Sequence, residues 1–114
     1  MIPQADLFDN MHYNVTRYGM KPVTPGEILL EEYLKPLGLS QNAVGRALGV
    51  SPRSVNEIVL GKRSITAKMS IRLGVYFGQS PRFWLNLQNE FDIRQALREQ
   101  KRLTDHIQPL TQPA

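Results

Sequence analysis

Cysteine is absent from the chain, so no disulfide can staple it and no thiolate can act as nucleophile or metal ligand. Histidine is scarce: His12 and His106 stand in opposite tails. Asp105 beside His106 comes nearest to an acid–base pair, and such a pair in a tail is ordinarily a solvated surface feature. There is no HExxH and no glycine-rich loop that could cradle a phosphate. No catalytic residue, metal or cofactor is therefore expected. No apolar run approaches the roughly 20 residues of a membrane span, and the polar N-terminus is unlike a signal peptide. These absences suit a cytoplasmic protein without a membrane role. Strand signals are limited to a possible short stretch around His106 to Leu110, so an all-α fold is expected. With 114 residues the chain makes one domain, able to bury about two-thirds of its unfolded surface.

What is present is a dense set of helix start and stop signals between residues 39 and 63. Ser40 is placed as an N-cap, with Leu39 before it able to staple onto Val44. Ala43, Val44, Ala47 and Leu48 repeat at helical spacing. Gly49 ends that helix where a positive φ is needed. Ser51 then caps a second helix, with Pro52 at its first position and Val55, Ile58 and Val59 facing inward. Gly45 costs about 1 kcal/mol relative to Ala in mid-helix, which points to close approach of the second helix. Two short helices joined by such a turn form a helix-turn-helix. The second helix leaves Pro52, Arg53, Ser54, Asn56 and Glu57 outward near its N-terminus, the end that enters a major groove. Arg matches guanine O6 and N7, Asn matches adenine, and Glu can accept from cytosine N4.

Charge agrees with DNA as the partner. The chain carries 14 Lys+Arg against 10 Asp+Glu, a net +4. Residues 51 to 82 hold Arg53, Lys62, Arg63, Lys68, Arg72 and Arg82 against Glu57 alone, enough to account for the whole excess.

Flanking signals complete a five-helix pattern. Thr24 caps a first helix with Pro25 in its first turn and Glu27 closing a capping box. Leu30, Tyr33, Leu34 and Leu37 give it an apolar stripe. Pro36 should tighten or kink its end before Gly38. A fourth helix starts at Thr66 with Met69, Leu73, Tyr76 and Phe77 inward. A fifth starts at Ser80 and Pro81 and runs to about Arg102. Three regions follow: a tail over 1–23 able to bind a partner, the helix-turn-helix domain over 24–102, and a C-terminal tail over 103–114. The fifth helix is too apolar for a simple surface helix. Phe83, Trp84, Leu87 and Phe91 are expected to form a homodimer interface. Such a dimer would place two recognition helices one DNA turn, about 34 Å, apart on a palindromic operator.

Residues 39–63 resemble the lambda-repressor-like, or XRE-type, helix-turn-helix. The flanking runs Pro22-Val23-Thr24-Pro25-Gly26-Glu27-Ile28-Leu29, Gly61-Lys62-Arg63-Ser64-Ile65-Thr66, Ser70-Ile71-Arg72-Leu73 and Phe83-Trp84-Leu85-Asn86-Leu87-Gln88 are similar to HigA-type (VapI-type) antitoxins. The likeness extends in order over residues 22–97. Thr24 stands where that family often has His, Gly45 where Ala is usual, and Leu60 where the wider repressor family often has Asn. The resemblance implies an antitoxin that holds a RelE-like mRNA-cleaving toxin inactive and represses their shared operon. By position, Gln41 would meet a phosphate, and Pro52, Arg53 and Glu57 base edges. Ser54 and Asn56 would meet bases or phosphates, and Lys62 and Arg63 the DNA backbone. Such a toxin should be basic because it grips RNA, which makes Glu27, Glu31 and Glu32 on the first helix natural contacts. A free-standing repressor with no toxin partner would carry the same DNA-binding residues.

Overall fold

A computed structural model of the chain describes residues 23–111. Among them there are six helices and no strand. Helix α1 covers residues 25–37 and is continuous, but its middle differs from its ends. Pro25–Ile28 and Lys35–Leu37 are α-helical, while Leu29–Leu34 forms a π-helix. Pro36 explains this: it has no N–H to donate, and its ring would press on the carbonyl four residues back. The wider turn, with the Lys35 N–H reaching the Leu30 carbonyl, makes room for it. The helix is thus widened at this point rather than tightened. Helices α2 (Gln41–Leu48) and α3 (Pro52–Val59) follow, then α4 (Ala67–Phe77), α5 (Phe83–Leu97) and α6 (Gln100–Thr104).

The cap residues act as their spacing requires. Thr24, Ser40, Ser51 and Thr66 each accept, through the side-chain hydroxyl, the backbone N–H three residues on, at 3.0–3.2 Å. Gly49 adopts φ +72°, and the turn into α3 needs that left-handed geometry. Two other glycines matter for space. A Cβ on Gly45 would lie 3.1 Å from the Val50 carbonyl oxygen and 3.2 Å from Pro52 Cα, so the start of α3 does approach α2 closely. A Cβ on Gly26 would collide with the Ile58 carbonyl, so the first turn of α1 rests directly on the α3 backbone.

The core gathers one stripe from each of α1 to α5. Ile28, Leu29, Tyr33 and Leu34 meet Val44, Val55, Ile58, Leu73, Phe77, Phe83, Trp84 and Leu87, with Val23 and Ile65 at its edges. An aromatic group lies at its centre, with Tyr33 4.9 Å from Phe77 and 5.1 Å from Trp84 between ring centroids. Gln79 satisfies both polar handles: its amide donates to the Tyr33 hydroxyl and accepts from the Trp84 indole, each at 2.7 Å. Burial raises the Tyr33 pKa, and the Glu32 charge adds to the rise against the Gln79 hydrogen bond. Ser70 closes the α4–α5 seam by donating to the Pro81 carbonyl at 2.7 Å and accepting from the Leu85 N–H at 2.9 Å.

Several expectations need correction. Tyr76 is exposed at the rim, edge-on to Phe77, not inside. Helix α5 begins at Phe83 without a side-chain cap, because the Ser80 hydroxyl instead accepts from the Arg82 N–H in the turn before it. The long fifth helix breaks at Arg98 and Glu99, where the chain has left the core and both residues are exposed. Residues 106–110 form no strand. Val23, assigned to the N-terminal tail, is buried in the core. Readings placed on residues 1–22 lie outside the described residues.

Candidate nucleic-acid interface

Helix α3 lies on α2 with Val55, Ile58 and Val59 buried, which turns Pro52, Arg53, Asn56 and Leu60 to solvent. The side chain of Arg53 is 84% exposed in the first turn. Gln41, the first residue of α2, is brought beside α3: its side-chain carbonyl accepts from the Asn56 amide at 3.0 Å. Ser54 is half-buried and its hydroxyl lies 2.8 Å from that of Ser51. Lys62 and Arg63 are exposed in the loop after α3, whose backbone turns back on the helix. Both their N–H groups donate to the Glu57 carbonyl, at 2.8 and 3.2 Å. The structure therefore collects Gln41, Pro52, Arg53, Ser54, Asn56, Glu57, Lys62 and Arg63 around the outer side of α3.

Glu57 is the electrostatic centre of this surface, a role its spacing alone does not reveal. One carboxylate oxygen accepts from Arg53 Nε at 3.3 Å, the other from Arg63 through Nε at 3.0 Å and a terminal nitrogen at 2.6 Å. The Arg63 hydrogen bond is the main cause of a lowered Glu57 pKa. Partial desolvation opposes it, while the Arg63 and Arg53 charges add to it. The carboxylate is thus engaged by two guanidinium groups rather than held out toward a base edge. Arg53 meets Glu57 through Nε alone, and its terminal nitrogens remain a fork suited to the paired acceptors of guanine.

Residues 30–84 match the helix-turn-helix family. Virulence-associated protein I of Dichelobacter nodosus is 47% identical over 95 residues, 83% of this chain and 87% of that protein. Antitoxin HigA-1 of Vibrio cholerae is 32% identical over 79% of this chain and 85% of its own length. The structure of Pseudomonas aeruginosa antitoxin HigA with the higBA promoter superposes with a TM-score of 0.75 at 44% identity, over 80% of this chain and all of that one. The chain belongs to the HigA-type (VapI-type) antitoxin family. Members of this family are helix-turn-helix antitoxins and regulators, not enzymes.

Within this HigA-type fold the residues expected at a dimer interface fare differently from those expected at DNA. Phe83, Trp84 and Leu87 are fully enclosed in the protomer's own core and offer no surface to a second copy. Together with Gln88 they make one inward stripe at helical spacing, packed on α1 and α4. Phe91 is half-buried at its end. The apolar surface lies elsewhere: Ile93 is 59% and Leu97 54% exposed on α5, and Leu103 and Ile107 repeat the same four-residue interval beyond the break. The spacing from Ile93 to Leu97 was the available signal, hidden by the bulkier aromatics before it. On α1, Glu27, Glu31 and Glu32 are half-buried, and Glu31 pairs with Lys35 at 2.7 Å. No helix among the described residues is long and apolar enough to cross a membrane.

Proposed function

We propose that this chain is the antitoxin of a toxin–antitoxin pair in the cytoplasm. As a homodimer it binds a palindromic operator of its own operon, and it neutralises a RelE-like mRNA-cleaving toxin. The observation that carries the DNA half is the outer side of α3: Arg53 and Asn56 are exposed, Arg53 paired with Glu57 of the same helix and Asn56 with Gln41 of α2, with Lys62 and Arg63 alongside. Arg53 and Asn56 read base edges, Pro52 and Ser54 border them, and Gln41, Lys62 and Arg63 meet phosphates. Glu57 orients both arginines. The promoter-bound HigA of similar fold supports this docking. The row Ile93, Leu97, Leu103 and Ile107 supports pairing of two copies through the C-terminal helices, and a single module of this size buries too little DNA for tight specific binding. Glu27, Glu31 and Glu32 on α1 offer a basic toxin a surface apart from the outer side of α3, so a toxin-bound antitoxin could stay on its operator.

Two experiments test the reading. Titration of the DNA upstream of the operon should give salt-dependent binding that Arg53→Ala weakens selectively. Co-expression with the adjoining gene should relieve the growth arrest that gene causes alone. Protection that persists after charge reversal at the three glutamates moves the toxin contact off α1. Operator binding without any protection leaves a dimeric repressor that has no toxin.

A further inference from the structure

Gln88 is a polar side chain in the buried stripe of α5, only 7% exposed. Its carbonyl oxygen accepts the Ile65 N–H at 2.8 Å, and its amide nitrogen donates to Asp92 at 3.0 Å. An ionised carboxylate can only accept, so Asp92 fixes which end of the amide faces Ile65. Ile65, itself buried, closes the loop that carries Lys62 and Arg63. The opposite end of that loop is tied to the Glu57 carbonyl of α3. The five residues from Gly61 to Ile65 are therefore anchored at one end by the recognition helix and at the other by one side chain of α5. Lys62 and Arg63 form the α3 anchor through their own N–H groups, and their side chains, like Ser64, stand exposed.

We infer that Gln88 is a positioning residue for contact with the DNA backbone: it sets the height and direction of Lys62 and Arg63 over the phosphates without touching DNA itself. This rests on the DNA-docking reading above. The shape of the loop is decided at its two ends: backbone bonds and the Arg63–Glu57 pair hold the α3 end, and the Gln88 side chain holds the other. Loss of that acceptor frees the Ile65 N–H and leaves Lys62 and Arg63 held from the Glu57 side alone, so that the loop can tilt and carry the two cations off a common phosphate track. The helix that carries the outward apolar residues Ile93 and Leu97 is thereby joined to the phosphate-facing loop through the Asp92–Gln88–Ile65 chain.

The test measures binding of a labelled mixed-sequence DNA duplex by fluorescence anisotropy across a salt series, with a melting curve for each protein. Gln88→Met, which keeps length but cannot accept, should weaken binding several-fold and reduce the salt slope by about one. In a Lys62→Ala/Arg63→Ala background the same change should lower the slope no further. The exchange Gln88→Glu with Asp92→Asn keeps an acceptor for Ile65, reverses the second hydrogen bond and conserves charge. It should restore the wild-type slope. A folded Gln88→Met protein with an unchanged slope overturns the inference. So does a further loss in the Lys62/Arg63 background, which would mean that Gln88 acts on the domain as a whole. If Gln88→Met does not fold, Gln88→Asn decides: one methylene shorter, it cannot span both partners, and an unchanged slope with it is equally fatal. The wild-type control separates this from the DNA reading. Absence of any salt-dependent duplex binding there removes the reading itself.

Discussion

Helices α3 and α5 each bury one side in the same core and present another to solvent, and the two outer sides are prepared in opposite ways. On α3 the exposed polar residues are already organised, with Asn56 bonded to Gln41 and Glu57 bridging Arg53 and Arg63. On α5 the exposed residues past the core include the apolar Ile93 and Leu97, set among the polar Asp92 and Gln95. A polar surface that meets a charged duplex must hold its donors in place beforehand, because every unfixed side chain costs rotamer entropy on binding. An apolar surface needs no such arrangement, since the hydrophobic effect is non-directional. Under the proposed function, the contrast separates a face that reads DNA from a face that joins two copies.

The sharpest way to break it is at the root of α5. Trp84→Ala should destabilise the fold by about 3–5 kcal/mol, seen as a lowered denaturant midpoint, because the indole fills the protomer core rather than a dimer seam. A mild effect on folding with loss of dimer would restore the original assignment of Phe83, Trp84 and Leu87. Gly26→Ala should cost about 3 kcal/mol, since the new methyl drives α1 off the α3 backbone. A loss below about 1 kcal/mol would show that the crossing relaxes easily. Arg53→Ala should lose about 1–3 kcal/mol on the operator and flatten base preference in competition titrations, with thermal stability nearly unchanged. Wild-type discrimination in that variant would remove α3 from its groove. Ile93→Glu with Leu97→Glu should shift folding by no more than about 0.5 kcal/mol yet give a monomer in light scattering. A persistent dimer would put the two-fold axis elsewhere.

The smallest expected effect concerns pH. The folded pKa of Glu57 is lowered, so its contribution is fully present above the ordinary carboxylate pKa and is lost as pH falls through the lowered value. Operator selectivity should hold from neutral pH down to about 5 and decline only below the usual carboxylate range near 4.3. Glu57→Gln should remove that acid limb, strengthen binding to mixed-sequence DNA and shrink the preference for the operator. An unaltered pH profile in the variant would mean that the two arginine pairs do not govern recognition.

The caps, the turn at Gly49 and, apart from the exposed Ala47, the inward stripes of α2 and α3 are legible because each depends on residues within a few positions of one another. The place of Gln41 beside Asn56 is not, since it is a contact across 15 residues that only the α2–α3 packing creates. Outward spacing and the family resemblance both point Glu57 to a base edge. Its carboxylate is taken by Arg63 from the following loop, whose path depends on backbone bonds that spacing does not encode. The dimer residues were misplaced for a similar reason. Apolar periodicity shows that a face is buried, but not whether the cover is the same chain or another. Trp84 is covered by Tyr33 and Phe83, whereas Ile93 lies beyond the reach of the core. The π-helical widening of α1 is visible as Pro36 in the sequence, but the choice between a kink and a wider turn is made by packing.

The bond between Gln41 and Asn56 carries a consequence for descent. If Asn56 reads the operator as proposed, any lineage that drifts toward a new operator by replacing it also releases a glutamine on the neighbouring helix. The two positions are therefore expected to change together, and a recognition alphabet for these proteins would be written in pairs of residues rather than single ones.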